Sequence, residues 1–406
     1  MTTVAMQVRD LSVEAVDSGE AILRDVSFEL RAGEIFALVG ESGSGKSVTS
    51  LAAMRLLPDA LRITGGAVHI GEQDLFGLSE TRMGEVRGRR VAMIFQNAMS
   101  ALNPVQTAGA QVAETLKLHT DLRGSAVRGK VLQLFAEVGI PEPEQRYNFF
   151  PHQLSGGQQQ RVMIAIALAC EPEVLIADEP TTALDVTIQE QVLNLVRSLT
   201  RSRQLAVLLI THDMGVVRHT ADEVGVMYAG QIIERAQVDA FFHNPREDYS
   251  RQLIDALPDL EHFRAAAHSD VLLEVDDVKV YFPIRAGVLQ RVVDYTRAVD
   301  GVSLRLGRGE TYALVGESGS GKSTLGRAIL NLEPLAGGSV RFDGQDIGSL
   351  GRRAMLPMLR KIQVIFQNPH SSMNPRMTVD AIITEVMFSL FLLYTSPIPR
   401  DSTLYS

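Results

Sequence analysis

The octapeptide Gly40-Glu41-Ser42-Gly43-Ser44-Gly45-Lys46-Ser47 recurs without a change as Gly316-Glu317-Ser318-Gly319-Ser320-Gly321-Lys322-Ser323. Both copies fit the phosphate-loop pattern G-x-x-x-x-G-K-[ST], whose glycines let successive backbone N–H groups turn inward around a polyphosphate. The apolar run Ile35-Phe36-Ala37-Leu38-Val39 ahead of the first copy suits a buried parallel strand. Lys46 then opens a helix whose N-terminal dipole favours anions. In this pattern Lys46 reaches the β- and γ-phosphates and the Ser47 hydroxyl ligates Mg²⁺; Lys322 and Ser323 repeat the pair. A Gly/Ser turn with a chance lysine is the alternative, and its exact duplication in one chain argues against it. Two nucleotide-binding units therefore organise the 406 residues.

Composition narrows the partners. A formal charge of −9 argues against a dedicated nucleic-acid binder. Cys170, the single cysteine, excludes an intrachain disulfide and a multi-cysteine zinc site, which suits a reducing cytosol. The start Met1-Thr2-Thr3-Val4 lacks the basic and apolar regions of a signal peptide. No run approaches the roughly 18 apolar residues needed to cross a bilayer, so a membrane role is expected to come through partner subunits.

Downstream of the first loop, Val91-Ala92-Met93-Ile94-Phe95-Gln96 is a second apolar strand ending in an amide; alone, Gln96 is simply a strand-end residue. Spaced apolar residues, including Val112, Leu116, Val127, Val131 and Leu134, predict an insertion of amphipathic helices between strands. A second glycine-bearing loop, Leu154-Ser155-Gly156-Gly157-Gln158, then meets a helix start. Ser155 can cap that helix, donate its hydroxyl to an anion, or do both. The run Val174-Leu175-Ile176-Ala177 delivers Asp178 and Glu179 side by side at a strand end, an arrangement suited to a metal ligand and a water-polarising base, although an Asp-Glu pair alone is usually a solvated turn. Finally Leu205-Ala206-Val207-Leu208-Leu209-Ile210 closes with Thr211-His212-Asp213.

The phosphate loop, Gln96, the LSGGQ string, Asp178-Glu179, the Ala183-Leu184-Asp185 segment and His212 occur in the order of the ATP-binding cassette (ABC) ATPases, which the chain resembles up to about Glu385. The resemblance implies an α/β P-loop cassette with a mainly parallel core sheet, an antiparallel N-terminal β subdomain and a helical subdomain. It assigns catalysis to Glu179, His212 and Gln96, and nucleotide binding to residues 40–47 together with Ser155, Gly156, Gly157 and Gln158. For the second copy it adds Gly316, Gly319, Gly321, Lys322, Ser323 and Gln367, and it places Mg²⁺ at Ser47, Gln96, Asp178 and Ser323. The strings Phe95-Gln96-Asn97, Pro151-His152-Gln153 and Val226-Met227-Tyr228-Ala229-Gly230 look like the oligopeptide/dipeptide importer subfamily. So does the extension from Phe241 to Pro258, although Glu247-Asp248 replaces the His-Pro usual there.

Two departures stand out. The first strands of copy 1 lack the aromatic residue that stacks on adenine in the family; copy 2 offers Tyr281-Phe282 instead. Copy 2 also keeps its phosphate loop and a strand ending in Gln367, but no second signature loop, Asp-Glu pair or switch histidine follows. The expected organisation is a complete cassette over 1–258, a linker over 259–270, a partial cassette over 271–387 and an unrelated tail over 388–406. The partial cassette is expected to be unstable and catalytically inert.

The resemblance further implies an ATPase that uses ATP and Mg²⁺ to energise import of peptides or similar small solutes. Its implied partners are two integral membrane permeases, a periplasmic or extracellular solute-binding protein acting through them, and a second ATPase domain in trans or as a homodimer. The implied location is the cytoplasmic face of the bacterial inner membrane. Family members clamp two ATP molecules head to tail, so residues 1–258 would find their partner signature loop on another chain. The helical region after Gln96, from Asn97 to Leu118, is expected to receive a permease helix. An ATP-binding fragment without turnover is an alternative. A translation-type cassette would need a longer charged linker, and a repair-type one cysteines or heptads.

Overall fold

A computed structural model describes residues 3–96, 101–181, 186–257, 270–286, 291–317, 319–366 and 373–389. The chain forms two compact units, Met1–His262 and Phe263–Ser406. The expected linker lies almost wholly outside the described residues, as do residues 97–100, the 183–185 segment, Ser318, Gln367 and residues 390–406.

In the first unit, β1 (Val4–Ala15), β2 (Ala21–Arg31), β4 (Leu61–Ile70) and β5 (Gln73–Asp74) make an antiparallel sheet in the order β2-β1-β4-β5. A second sheet runs β10-β9-β3-β8-β7-β6, where β3 is Ile35–Val39, β6 Val91–Ile94, β7 Val174–Asp178, β8 Ala206–Ile210, β9 Glu223–Tyr228 and β10 Gln231–Gln237. All its pairings are parallel except β9 with β10. Every residue of β3, β7 and β8 is buried, as expected of strands covered on both faces.

Alternation along those strands divides the core. Val174 and Ile176 face the antiparallel sheet, where Phe28 stacks on Phe36 with centroids 5.4 Å apart. Leu175 and Ala177 face the helices Ala108–His119, Ser125–Glu137 and Gly156–Leu168, whose Val112, Leu116, Val127, Val131 and Leu134 are all core residues. Leu102 belongs to the same cluster at 2% exposure, whereas Val105 and Leu118, in the region expected to receive a permease helix, are exposed.

The segment expected to be the subfamily's extension, with the residues just before it, packs the helices Val238–His243 and Asp248–Asp255 against β9 and β10 through the fully buried Phe241. Glu234, on β10 and almost fully buried, secures it by accepting the backbone N–H groups of Arg246 at 2.9 Å and Glu247 at 3.0 Å. Burial pushes the Glu234 carboxyl pKa up, but the nearby Ser250 hydroxyl and the two N–H groups outweigh it and hold the group below the usual carboxylate range.

The second unit repeats only the antiparallel part. β11 (Val271–Ala286), β12 (Arg291–Gly307), β13 (Gly337–Phe342) and β14 (Gln345–Asp346) are ordered β12-β11-β13-β14, and they cover a small core with the helices Lys322–Ile329 and Arg352–Leu359. The strand expected to end at Gln367 does not form: residues 362–366 are irregular and Ile365 is 98% exposed, whereas its counterpart Ile94 is 0% exposed. Likewise 311–317, the counterpart of β3 and its loop entry, is irregular, with Val315 at 86% against 0% for Val39. The cause is lateral pairing. In the first unit β3 is held between β8 and β9, and β6 by β7; among the described residues no strand pairs with 311–315 or 362–366. The helix Val379–Ser389 runs into the segment expected to be an unrelated tail.

Two outcomes follow from these pairings. In amide hydrogen exchange, residues 36–39 should be strongly protected while 312–315 and 363–366 exchange at close to the rate of an unstructured peptide; protection in the latter segments would contradict the loss of their sheet. Because the charged form of Glu234 binds its partners, its stabilisation is fully present above the ordinary carboxylate range and is lost as pH falls through the depressed folded-state value. Glu234→Gln should therefore cost about 1–3 kcal/mol at neutral pH. Thermal unfolding of the two chains should converge on acidification, and a gap that widens instead would reverse the assignment.

Candidate nucleotide site

The parallel register brings four strand ends to one edge: Leu38 lies opposite Ile210, Asp178 opposite Ile210, and Ile94 opposite Ala177. The residues that follow each strand share that edge, where ligands bind in open α/β sheets. From β3 the chain enters the phosphate loop through Gly40 at φ +149°. A Cβ there would stand 2.2 Å from the Met227 carbonyl oxygen, so only glycine fits. Gly45, at φ +106°, turns the chain into the helix Lys46–Ala53, whose start has no side-chain cap and no acidic residue in its first turn. Its backbone donors and dipole are thus presented to an incoming anion.

Lys46 is 6% exposed, and its Nζ donates to the carbonyls of Gly40 and Glu41 at 2.8 Å each. Burial pushes its pKa down, while Glu179, Asp178 and Glu41 pull it back up. Ser47 Oγ donates to Asp178 Oδ1 at 3.2 Å. Asp178 ends β7 nearly buried, and its carboxyl pKa is raised by that burial against the opposing Ser47 bond, with Glu179 adding to the rise and Lys46 opposing it.

Glu179 sits in the left-handed backbone region at φ +46°, which costs a non-glycine residue about 1–2 kcal/mol. The turn is held by its N–H donating to the Ile210 carbonyl at 2.9 Å. Its carboxylate accepts from Gln96 Nε2 at 2.7 Å on Oε2 and pairs with His212 Nδ1 at 2.9 Å on Oε1. Strain at a strand end that aims a carboxylate between two polar partners is a pattern found at functional sites. Lys46, Ser47, Gln96, Asp178, Glu179 and His212 therefore form one connected cluster.

The second glycine-bearing loop is placed otherwise. Ser155 caps the helix Gly156–Leu168 by accepting from the Gln158 N–H, and the Gln158 side chain returns the bond to the Ser155 N–H. Gly157 lies against Ile188, and Ser155 and Gly156 are exposed. No described hydrogen bond of this loop reaches Lys46.

In the second unit the phosphate loop keeps its local shape. Lys322 Nζ donates to the carbonyls of Gly316 at 2.6 Å and Glu317 at 2.7 Å, and Gly316, Gly319 and Gly321 retain positive φ. Lys322 is only half-buried and Ser323 is exposed. Ser47 has Asp178 opposite it, and among the described residues no carboxylate is hydrogen-bonded to Ser323.

One contact was not foreseen from sequence. The Tyr249 hydroxyl, on the helix Asp248–Asp255, accepts the Glu41 N–H at 3.0 Å across 208 residues. Nothing local to Tyr249 signals a loop so distant in sequence. Phe28 is spent on the core through Phe36, and Phe282 in the second unit is 39% exposed.

The donors fit the groups the sequence suggests. A glycine loop feeding an uncapped helix suits a polyphosphate, and a hydroxyl beside a buried carboxylate, both hard oxygen donors, suits Mg²⁺, which keeps most of its remaining positions for water and phosphate.

Comparisons with known proteins agree with this geometry. A family model described as ABC transporter matches residues 23–182 and 299–395. The peptidoglycan transport ATP-binding protein YejF of Agrobacterium fabrum is 46% identical over 387 residues, which make up 95% of this chain and 71% of that protein. The glutathione import ATP-binding protein GsiA of Pectobacterium atrosepticum is 44% identical over 418 residues, 94% of this chain and 66% of that one. Among solved structures, a dimeric post-hydrolysis state of the ATP-binding cassette MJ0796, bound to ADP and Pi, superposes with a TM-score of 0.51 at 28% identity, covering 57% of this chain and 98% of that one.

Proposed function

The chain belongs to the ABC transporter family, and from that premise we propose that it is the ATP-binding and ATP-hydrolysing subunit that energises import of peptides or similar small solutes. The observation that carries this reading is the connected cluster at the strand ends, with the Glu179 carboxylate between Gln96 and His212 and Lys46 buried in its loop.

In this reading the phosphate loop binds the polyphosphate of ATP, with Lys46 on the β- and γ-phosphates. Ser47, Asp178 and Gln96 would hold Mg²⁺, which when bound neutralises charge on the phosphate oxygens. Glu179 accepts a proton from the attacking water, and Gln96 and His212 fix the direction in which its carboxylate points. Ser155 and its neighbours, exposed and unconnected to Lys46, serve the phosphate loop of a second chain, so that two chains pair their first units. The second unit keeps a phosphate loop without the opposing carboxylates and contributes no turnover.

No helix among the described residues is long and apolar enough to cross a membrane. Permease subunits therefore supply the membrane passage in this reading, a solute-binding protein delivers the cargo to them, and the chain works peripherally at the cytoplasmic face. Cargo choice then lies with those partners. The relatives' names supply two examples of cargo, glutathione and peptidoglycan.

Removing the base while keeping every binding contact separates hydrolysis from binding. Glu179→Gln should lower steady-state ATP turnover by about 10²–10⁴-fold and leave ATP bound, whereas Lys322→Ala should leave the rate unchanged. Turnover at the wild-type rate in the Glu179 variant, or a large loss in the Lys322 variant, would refute the assignment.

A further inference from the structure

The peptide unit joining Gly40 to Glu41 is gripped at both ends. Its carbonyl oxygen accepts from Lys46 Nζ at 2.8 Å, and its N–H donates to the Tyr249 hydroxyl at 3.0 Å. In a phosphate loop, backbone N–H groups otherwise turn toward the anion. Here one of them is turned outward to a tyrosine, which keeps the carbonyl of the same peptide on the lysine side. Reversing that peptide plane would take an oxygen from Lys46 and point it elsewhere in the loop.

Tyr249 is itself held in place. Its ring packs on Tyr228 with centroids 4.6 Å apart and planes at 47°. One turn of chain earlier, Glu234 fixes the backbone of Arg246 and Glu247. Tyr228 ends β9 directly after Met227, whose carbonyl closes against Gly40, and the next turn donates the Gly230 N–H to the Ser44 carbonyl at 3.1 Å. The β9–β10 hairpin and the extension therefore hold the phosphate loop at three points: Gly40, Glu41 and Ser44.

We propose that Tyr249 is a positioning residue for the phosphate loop, its hydroxyl setting the Gly40–Glu41 peptide so that the carbonyl keeps Lys46 aligned for the nucleotide's phosphates. This rests on the ATP-binding reading above and gives the C-terminal extension a part in it. The hydroxyl acts through the peptide and through Lys46, and it touches no reacting atom.

The test uses the full chain and a fluorescent ATP analogue. Tyr249→Phe keeps the ring and its contact with Tyr228 and removes only the hydroxyl. It should weaken nucleotide binding about three- to tenfold, the worth of one neutral hydrogen bond, and leave the nucleotide-free unfolding midpoint unchanged. The Glu41 amide, protected from hydrogen exchange in the wild type, should exchange freely in this variant. In a Lys46→Ala background, titrated to high nucleotide concentration, Tyr249→Phe should cause no further loss, because the two residues act in series. Tyr228→Phe should bind as the wild type does. Wild-type affinity in Tyr249→Phe, an equal loss with and without Lys46, or a fall in midpoint large enough to explain the weaker binding would overturn the proposal. A wild-type chain that binds no ATP would refute the ATPase reading instead, and the Glu41 amide would still decide whether Tyr249 holds the peptide.

Discussion

Strand pairing on both sides of β3 is the interaction on which the rest of the molecule depends. Ile35–Val39 is locked between β8 and β9 in parallel register, and the same ladder continues through β7 to β6. That register alone brings Gly40, Gln96, Glu179 and His212 to one edge, although they are spread over most of the first unit. The left-handed turn at Glu179 is affordable only because its N–H completes the ladder onto Ile210.

The second unit shows what happens without those neighbours. Its octapeptide is identical and its lysine makes the same carbonyl contacts, so the shape of the loop is a local property of its glycines. The burial of the lysine and the opposing carboxylate come from the sheet. Val315 and Ile365, patterned as core strand residues, are open to solvent, and among the described residues no strand lies beside them. A phosphate loop is thus a necessary part of the site, and the parallel sheet turns it into one.

Much of this was legible beforehand because it depends on short-range pattern. Runs such as 174–177 and 205–210 read as buried strands, the apolar spacing of Val112 to Leu134 read as packed helices, and Asp178-Glu179 read as a strand-end pair. The misreadings involve partners distant in sequence. The run ending at Gln367 has the composition of a strand, but strands exist only in ladders, and composition does not reveal a missing neighbour. The segment from Asn97 to Leu118 gives no local sign that Leu102 is a core residue, and nothing near Tyr249 in the sequence points to the bond between its hydroxyl and the Glu41 N–H. Each depends on tertiary packing that no local window contains.

In the proposed pairing, the Ser155 loop of another chain completes the cluster around Glu179. Mixing two inactive variants tests it most directly: Ser155→Arg, which spoils the donated loop, and Glu179→Gln, which spoils the receiving cluster. A mixed pair contains one site with Glu179 from the first variant and Ser155 from the second, so ATPase activity absent from either alone should return on mixing. If both variants bind ATP and the mixture stays inactive, or if Ser155→Arg is active by itself, the account is contradicted.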